Sequence, residues 1–106
     1  MRYLMTTYAG STAPDEKMFA EMGKFVEELT KSGVLLAAGG LEPTGTHISS
    51  RDGKLTLTDG PYTEAKELIV SFALVEVRDK DEALEISRRF WAIAGDGDSD
   101  VRQVFA

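Results

Sequence analysis

Leu68-Ile69-Val70-Ser71-Phe72-Ala73-Leu74-Val75-Glu76-Val77, followed at once by Arg78-Asp79-Lys80-Asp81-Glu82, is the stretch that decides the fold. Read with a period of two, the first ten residues split into Leu68, Val70, Phe72, Leu74 and Ile69, Ala73, Val75, Val77. Both sets are apolar, as in a strand that must be covered on both faces. Asp79 then stands where a helix takes its N-cap, and Glu82 three residues on supplies the acid of a capping box. Ala83, Leu84, Ile86, Phe90, Trp91 and Ile93 form the buried side of that helix. Gly95-Asp96-Gly97-Asp98-Ser99-Asp100 reads as a flexible acidic loop, and Val101 to Phe105 as a closing strand.

The N-terminal half repeats the order. Residues 2 to 8 read as a strand. Pro14 opens a helix at its first turn, with Thr12 or Ala13 as the cap region and with Asp15 and Glu16 where the helix dipole favours acids. Met18, Phe19, Met22, Phe25, Val26 and Leu29 form one apolar stripe, and Gly33 ends the helix after Lys31. Val34 to Ala38 is a short strand broken by Gly39-Gly40 and Glu42-Pro43. Between the halves, His47 to Arg51 and Lys54 to Thr58 flank Asp52-Gly53, a strong type I′ hairpin signal, and Leu55-Thr56-Leu57-Thr58 alternates as a half-buried strand should. The order β-α-β, hairpin, β-α-β predicts a ferredoxin-like α+β sandwich, an antiparallel sheet with two helices on one face. The second apolar set of strand 68 to 77 then lacks a cover. Leu4 against Tyr3 and Met5, and Phe105 against Val104, repeat the pattern, so a twofold homodimer through the sheet face is expected.

Composition narrows the function classes. A chain of 106 residues, 42% hydrophobic and 28% charged, reads as one globular domain spanning 1–106. It contains no cysteine, which excludes disulfides, thiolate metal sites and cysteine nucleophiles. The net charge is −6 and no basic stripe is present, so neither nucleic acid nor an anionic membrane is an expected partner. Arg88 and Arg89 sit on a helix with Glu82 and Glu85 and read as a solvated mixed-charge face. Met1 to Tyr8 lacks the apolar run of a signal peptide, so the expected location is cytoplasmic.

Candidate chemistry gathers around Thr58-Asp59-Gly60-Pro61-Tyr62-Thr63-Glu64-Ala65-Lys66-Glu67, a turn followed by a mixed-charge segment at the rim of the sheet. Asp59 is the candidate catalytic residue, a general base if burial raises its pKa; alternatively Asp59-Gly60-Pro61 is turn chemistry alone. Tyr62, Glu64 and Lys66 are candidate ligand contacts, against the plainer roles of a turn anchor and a surface segment. His47, the only histidine, and Arg102 complete the candidate set, although a hairpin histidine usually has no ligand role. One histidine and scattered acids make a transition-metal site unexpected. Asp96, Asp98 and Asp100 imitate half of an EF-hand loop, but Val101 replaces the required glycine and the chain given ends before the bidentate position. The glycines match no nucleotide fingerprint. No cofactor and no metal are expected.

Several of these segments resemble one family. The Asp59-Gly60-Pro61-Tyr62 turn, Glu64-Ala65-Lys66-Glu67, Asp81-Glu82-Ala83-Leu84-Glu85, the closing Val101-Arg102-Gln103-Val104-Phe105 and the run Gly33 to Pro43 look like the YCII-related proteins of the DGPF-motif branch, with Tyr62 where the name-giving Phe stands. The resemblance covers nearly the whole chain. It implies a dimeric α/β barrel of two ferredoxin-like units and little defined chemistry, since relatives are mostly uncharacterised and some accompany sigma-type transcription factors. Other YCII-like proteins have a His at the start of the first helix paired with an Asp. Here that helix begins Pro14-Asp15-Glu16-Lys17-Met18, so the pair does not carry over. Two functions follow as expectations: a small-molecule binder or cofactor-independent enzyme with a pocket near Asp59, or a non-catalytic regulatory and protein-interaction domain linked to transcription.

Overall fold

Among the described residues the elements follow the expected order: β1 (Arg2–Tyr8), α1 (Glu16–Lys31), β2 (Leu35–Gly40), β3 (Thr46–Arg51), β4 (Lys54–Asp59), β5 (Ile69–Glu76), α2 (Lys80–Ala94) and β6 (Ser99–Val104). The computed structural model describes residues 1–60 and 68–105. Four strands make one sheet in the order β2-β5-β1-β6, antiparallel throughout, and β3 and β4 make a separate two-stranded sheet. This is the ferredoxin-like α+β arrangement with a hairpin inserted between β2 and β5.

Register assigns each side chain to a face. Tyr3 lies opposite Val75, and Met5 opposite both Ala73 and Val101. This inner face carries the helices, with Tyr3, Val75, Val77 and Ala83 at the centre of the core. The outer face carries Leu4 opposite Leu74 and Arg102, and Thr6 opposite Phe72 and Asp100. The two apolar sets of β5 therefore do point to opposite sides. The outer set is half-buried and ringed by Tyr8, Asp100, Arg102 and the Arg2–Glu76 ion pair, so it is apolar at its centre and polar at its rim.

Caps set the helix starts. Asp79 caps α2 as expected, its Oδ1 accepting the Glu82 N–H at 2.9 Å. Glu82 does not turn back to complete a capping box. Its carboxylate pairs with Arg78, whose guanidinium is held above its ordinary pKa by that hydrogen bond first and then by the charges of Glu82 and Asp79. The cap of α1 is Asp15, accepting the Met18 N–H at 2.8 Å, rather than Thr12 or Ala13, and Pro14 precedes the cap. Thr12 is occupied elsewhere, its Oγ1 accepting the Asp96 N–H at 3.0 Å.

Three other expectations are corrected. Gly39 and Gly40 do not break β2 but end it: Gly39 faces Phe72 across the ladder, where a Cβ would lie 3.2 Å from the ring. An aromatic packed over a glycine keeps a strand that propensity alone would terminate. The stripe of α1 is only partly covered, with Phe25 and Leu29 buried but Phe19 at 67% exposure. The hairpin has the expected two-residue turn, Asp52 and Gly53 both at positive φ, yet β4 is exposed along its whole length rather than half-buried.

Asp79→Ala should lower stability by about 1 kcal/mol, the usual value of an N-cap. A urea unfolding curve followed by circular dichroism would show a lower midpoint at unchanged slope. An unchanged midpoint would mean that the cap contributes nothing.

Candidate functional site

Small residues under the helices create the main concavity. Ala38, Gly39 and Gly40 on β2, Ser71 and Ala73 on β5 and Ala83 on α2 leave space that Met22 and Phe25 of α1 and Ile86 and Phe90 of α2 roof over without filling. The resulting cavity measures about 200 Å³. A second, of about 500 Å³, runs on towards Ser11, Thr12, Pro14 and Trp91. Thr7, Met22, Gly40, Ser71 and Phe90 line both, so the two form one cleft between helices and sheet.

The lining decides what the cleft can do. Among the described residues no Asp, Glu, His, Lys or Arg lines either part. The polar side chains of the first part are hydroxyls: Thr7, which is buried, Ser71, and Ser87, which donates to the Ala83 carbonyl at 3.1 Å; Ser11, Thr12 and the Trp91 indole join them in the second. Above the roof, the Arg89 guanidinium lies 4.8 Å from the centre of the Phe25 ring and pairs with Glu28, tying α2 to α1. Such stacking on an aromatic face holds the ring as well as the charge.

Trp91 forms the end wall. Its indole N–H donates to Ser99 Oγ at 2.9 Å, and its ring meets Phe90 edge-on, with centroids 5.1 Å apart. Gly97 makes this position possible, because a Cβ there would lie 2.4 Å from the Trp91 ring. The loop carrying Gly97 is anchored and not simply the flexible acidic segment its composition suggests. Tyr8 N–H donates to the Asp98 carbonyl at 3.0 Å, Thr12 N–H to the Asp96 carbonyl at 2.9 Å, and the Tyr8 hydroxyl to Asp100.

The residues singled out from sequence lie elsewhere. Asp59 is the exposed last residue of β4; its Oδ1 accepts from Thr46 Oγ1 at 2.7 Å, while Gly60 N–H donates to the Gly45 carbonyl and closes the base of the hairpin. His47 lies opposite Thr58 and therefore points to the other side of the same hairpin. Arg102 is on the outer face of the sheet, opposite Leu4. These three residues occupy three different surfaces. Tyr62, Glu64 and Lys66 lie outside the described residues. Among the described residues no three His, Asp or Glu side chains gather closely enough to hold a metal ion, and no helix is long and apolar enough to cross a membrane. Sequence reading missed Thr7, Ser71, Ser87, Trp91 and Gly97. The available signal was the row Ala37 to Gly40 and the alternate small residues Ser71 and Ala73 inside strands that otherwise favour bulk.

The comparisons with known proteins agree with this fold. The model of the YCII-related domain matches residues 1–104. The chain belongs to the YCII-related family. An uncharacterised protein of Rhizobium meliloti (strain 1021) is 30% identical over 84 residues, which are 77% of this chain and 68% of that protein. Among solved structures, 5-chloro-2-hydroxyhydroquinone dehydrochlorinase of Burkholderia phenoliruptrix AC1100, in complex with 2,5-dihydroxybenzoquinone, superposes with a TM-score of 0.50. It is 15% identical, with 99% of this chain and 94% of that one covered. At that identity the likeness is one of fold.

Gly97→Ala should push Trp91 from its seat. Overpacking of this kind costs about 1–3 kcal/mol. Since Trp91 is the only tryptophan, a lower thermal midpoint should come with a shift in intrinsic emission. An unchanged spectrum and midpoint would show that the loop yields without moving the ring.

Proposed function

We propose that this YCII-related domain binds a small, neutral, largely apolar molecule in the cleft between helices and sheet. The observation that carries this reading is a cleft of ligand size whose described lining offers hydroxyls but no charge. Small-molecule sites are typically apolar concavities with a few placed polar groups. Burying a charged ligand without a counter-charge is strongly unfavourable, whereas a carbonyl or hydroxyl of a neutral ring can bond with Thr7, Ser71 or Ser87. That the dehydrochlorinase of similar fold is solved with a benzoquinone is in keeping with a flat ring of this size. Acid–base chemistry would need a titratable group brought to the cleft, and Asp59 remains the candidate. The Asp59-Gly60-Pro61-Tyr62 motif supports placement in the DGPF branch.

The same reading includes a homodimer closed through the outer sheet face. Leu4, Phe72 and Leu74 lie together there in the middle of the sheet. Beside them the buried Thr6 hydroxyl has no partner among the described residues. An apolar centre with a polar rim is the usual anatomy of an interface.

Trp91 serves as the reporter for ligand binding. The neutral dye N-phenylnaphthylamine should quench it saturably, its sulfonated anionic counterpart should bind at least tenfold more weakly, and Ala73→Leu should weaken the neutral dye by a similar factor. Equal binding of the two dyes would refute the neutral-ligand reading. For the assembly, light scattering at micromolar concentration should give twice the 11.6 kDa of the chain, reduced to one chain by Leu74→Lys. A parent protein with the mass of one chain would refute the dimer.

A further inference from the structure

The hairpin presents an unexplained surface. Cross-strand pairing puts Ile48, Leu55 and Leu57 on one face, flanked by Thr46, Ser50 and Asp59, and His47, Ser49, Arg51, Lys54, Thr56 and Thr58 on the other. The division is that of a half-buried sheet, one face polar and one with an apolar centre. Yet Ile48, Leu55 and Leu57 are 60–67% exposed. β3 and β4 pack mainly on each other, and a lone two-stranded hairpin is marginal in water. The hairpin also projects: the radius of gyration is 15.9 Å, against about 13 Å for a compact chain of 100 residues.

We propose that the hairpin is an arm whose apolar face seats on a second copy of this chain, along the outer face of that copy's sheet. The inference rests on the homodimer reading above and adds the part of the surface that completes it. Three observations favour a second copy. Four strands about 4.8 Å apart and about 20 Å long give the outer face a footprint near 400 Å², well short of the roughly 800 Å² per partner of a stable interface. The arm supplies further apolar area at the β2 edge of that face, which it joins through Leu41 to Gly45. Charge permits the contact as well. Residues 46–59 hold Arg51 and Lys54 against Asp52 and Asp59, a net of zero, so the −6 of the chain resides in the remainder (10 basic and 16 acidic residues). A neutral arm meets an acidic second copy without like-charge repulsion. Asp59, at the inner end of the apolar face, is delivered to the second copy with it.

The full chain has no cysteine, so a single introduced one directs a label. A benzophenone photocrosslinker attached to Leu57→Cys should join two chains, and the same label on Thr56→Cys should not. The double variant Leu55→Lys/Leu57→Lys should raise the dimer dissociation constant at least tenfold in sedimentation, with its circular dichroism unchanged. Crosslinks confined to one chain, crosslinks in lysate only to a different protein, or a double variant that dimerises like the parent would overturn the arm and leave the sheet-face dimer standing. A parent that sediments as a single chain at every concentration would overturn the dimer and the arm together.

Discussion

The pairing of β5 between β1 and β2 is the constraint on which the rest of the structure depends. Its residues are apolar on both sides, so the inner set, Ala73 and Val75 with Val77 just beyond, must be roofed by helices, while the outer set, Phe72 and Leu74, must find a different cover. Placing β5 in the interior satisfies its backbone on both edges, with Leu4↔Leu74 on one side and Gly39↔Phe72 on the other. A central position needs long crossovers, and the two helices provide them. The same choice leaves β2 and β6 as edges, and β2 is the strand that runs on into the hairpin.

The cleft follows from the same sheet by a different route. Ala38, Gly40, Ser71 and Ala73 sit on the cleft side, where larger side chains would fill the space beneath Phe25 and Phe90. A dry void of 200 Å³ would cost on the order of 5 kcal/mol at about 24 cal/mol per Å³, comparable with the whole stability of a small domain. A chain that needed only to fold would remove most of that cost with a few larger residues. Keeping the space open, and fixing its end wall by seating Trp91 against Gly97, is the pattern of a site at which stability is given up for binding.

How far the sequence discloses this depends on the range of the signal. The elements were legible because their signals are local: Asp79 before a periodic run, Asp52-Gly53 between alternating strands, and a doubly apolar β5. The fold class followed from the element order. Boundaries failed where a distant partner overrode a local preference, as when Phe72 retained Gly39 in β2 and the Asp96 amide engaged Thr12, leaving Asp15 as the cap. The site was not legible for the same reason. Asp59 and His47 attract notice because they can ionise, whereas Thr7, Ser71 and Ser87 look ordinary until the sheet and helices bring them around one space.

Asp59 stands at the inner end of the hairpin's apolar face. Within its own chain the carboxylate accepts from the Thr46 hydroxyl and lies in solvent. Its place on the hairpin is nevertheless consistent, because the twofold periodicity that aligns Ile48, Leu55 and Leu57 also aligns Asp59 with them. Whatever covers those three side chains also removes water from beside the carboxylate. The two apolar surfaces that a single chain leaves without a full cover, the arm and the outer face of the sheet, then have a common answer in the second copy.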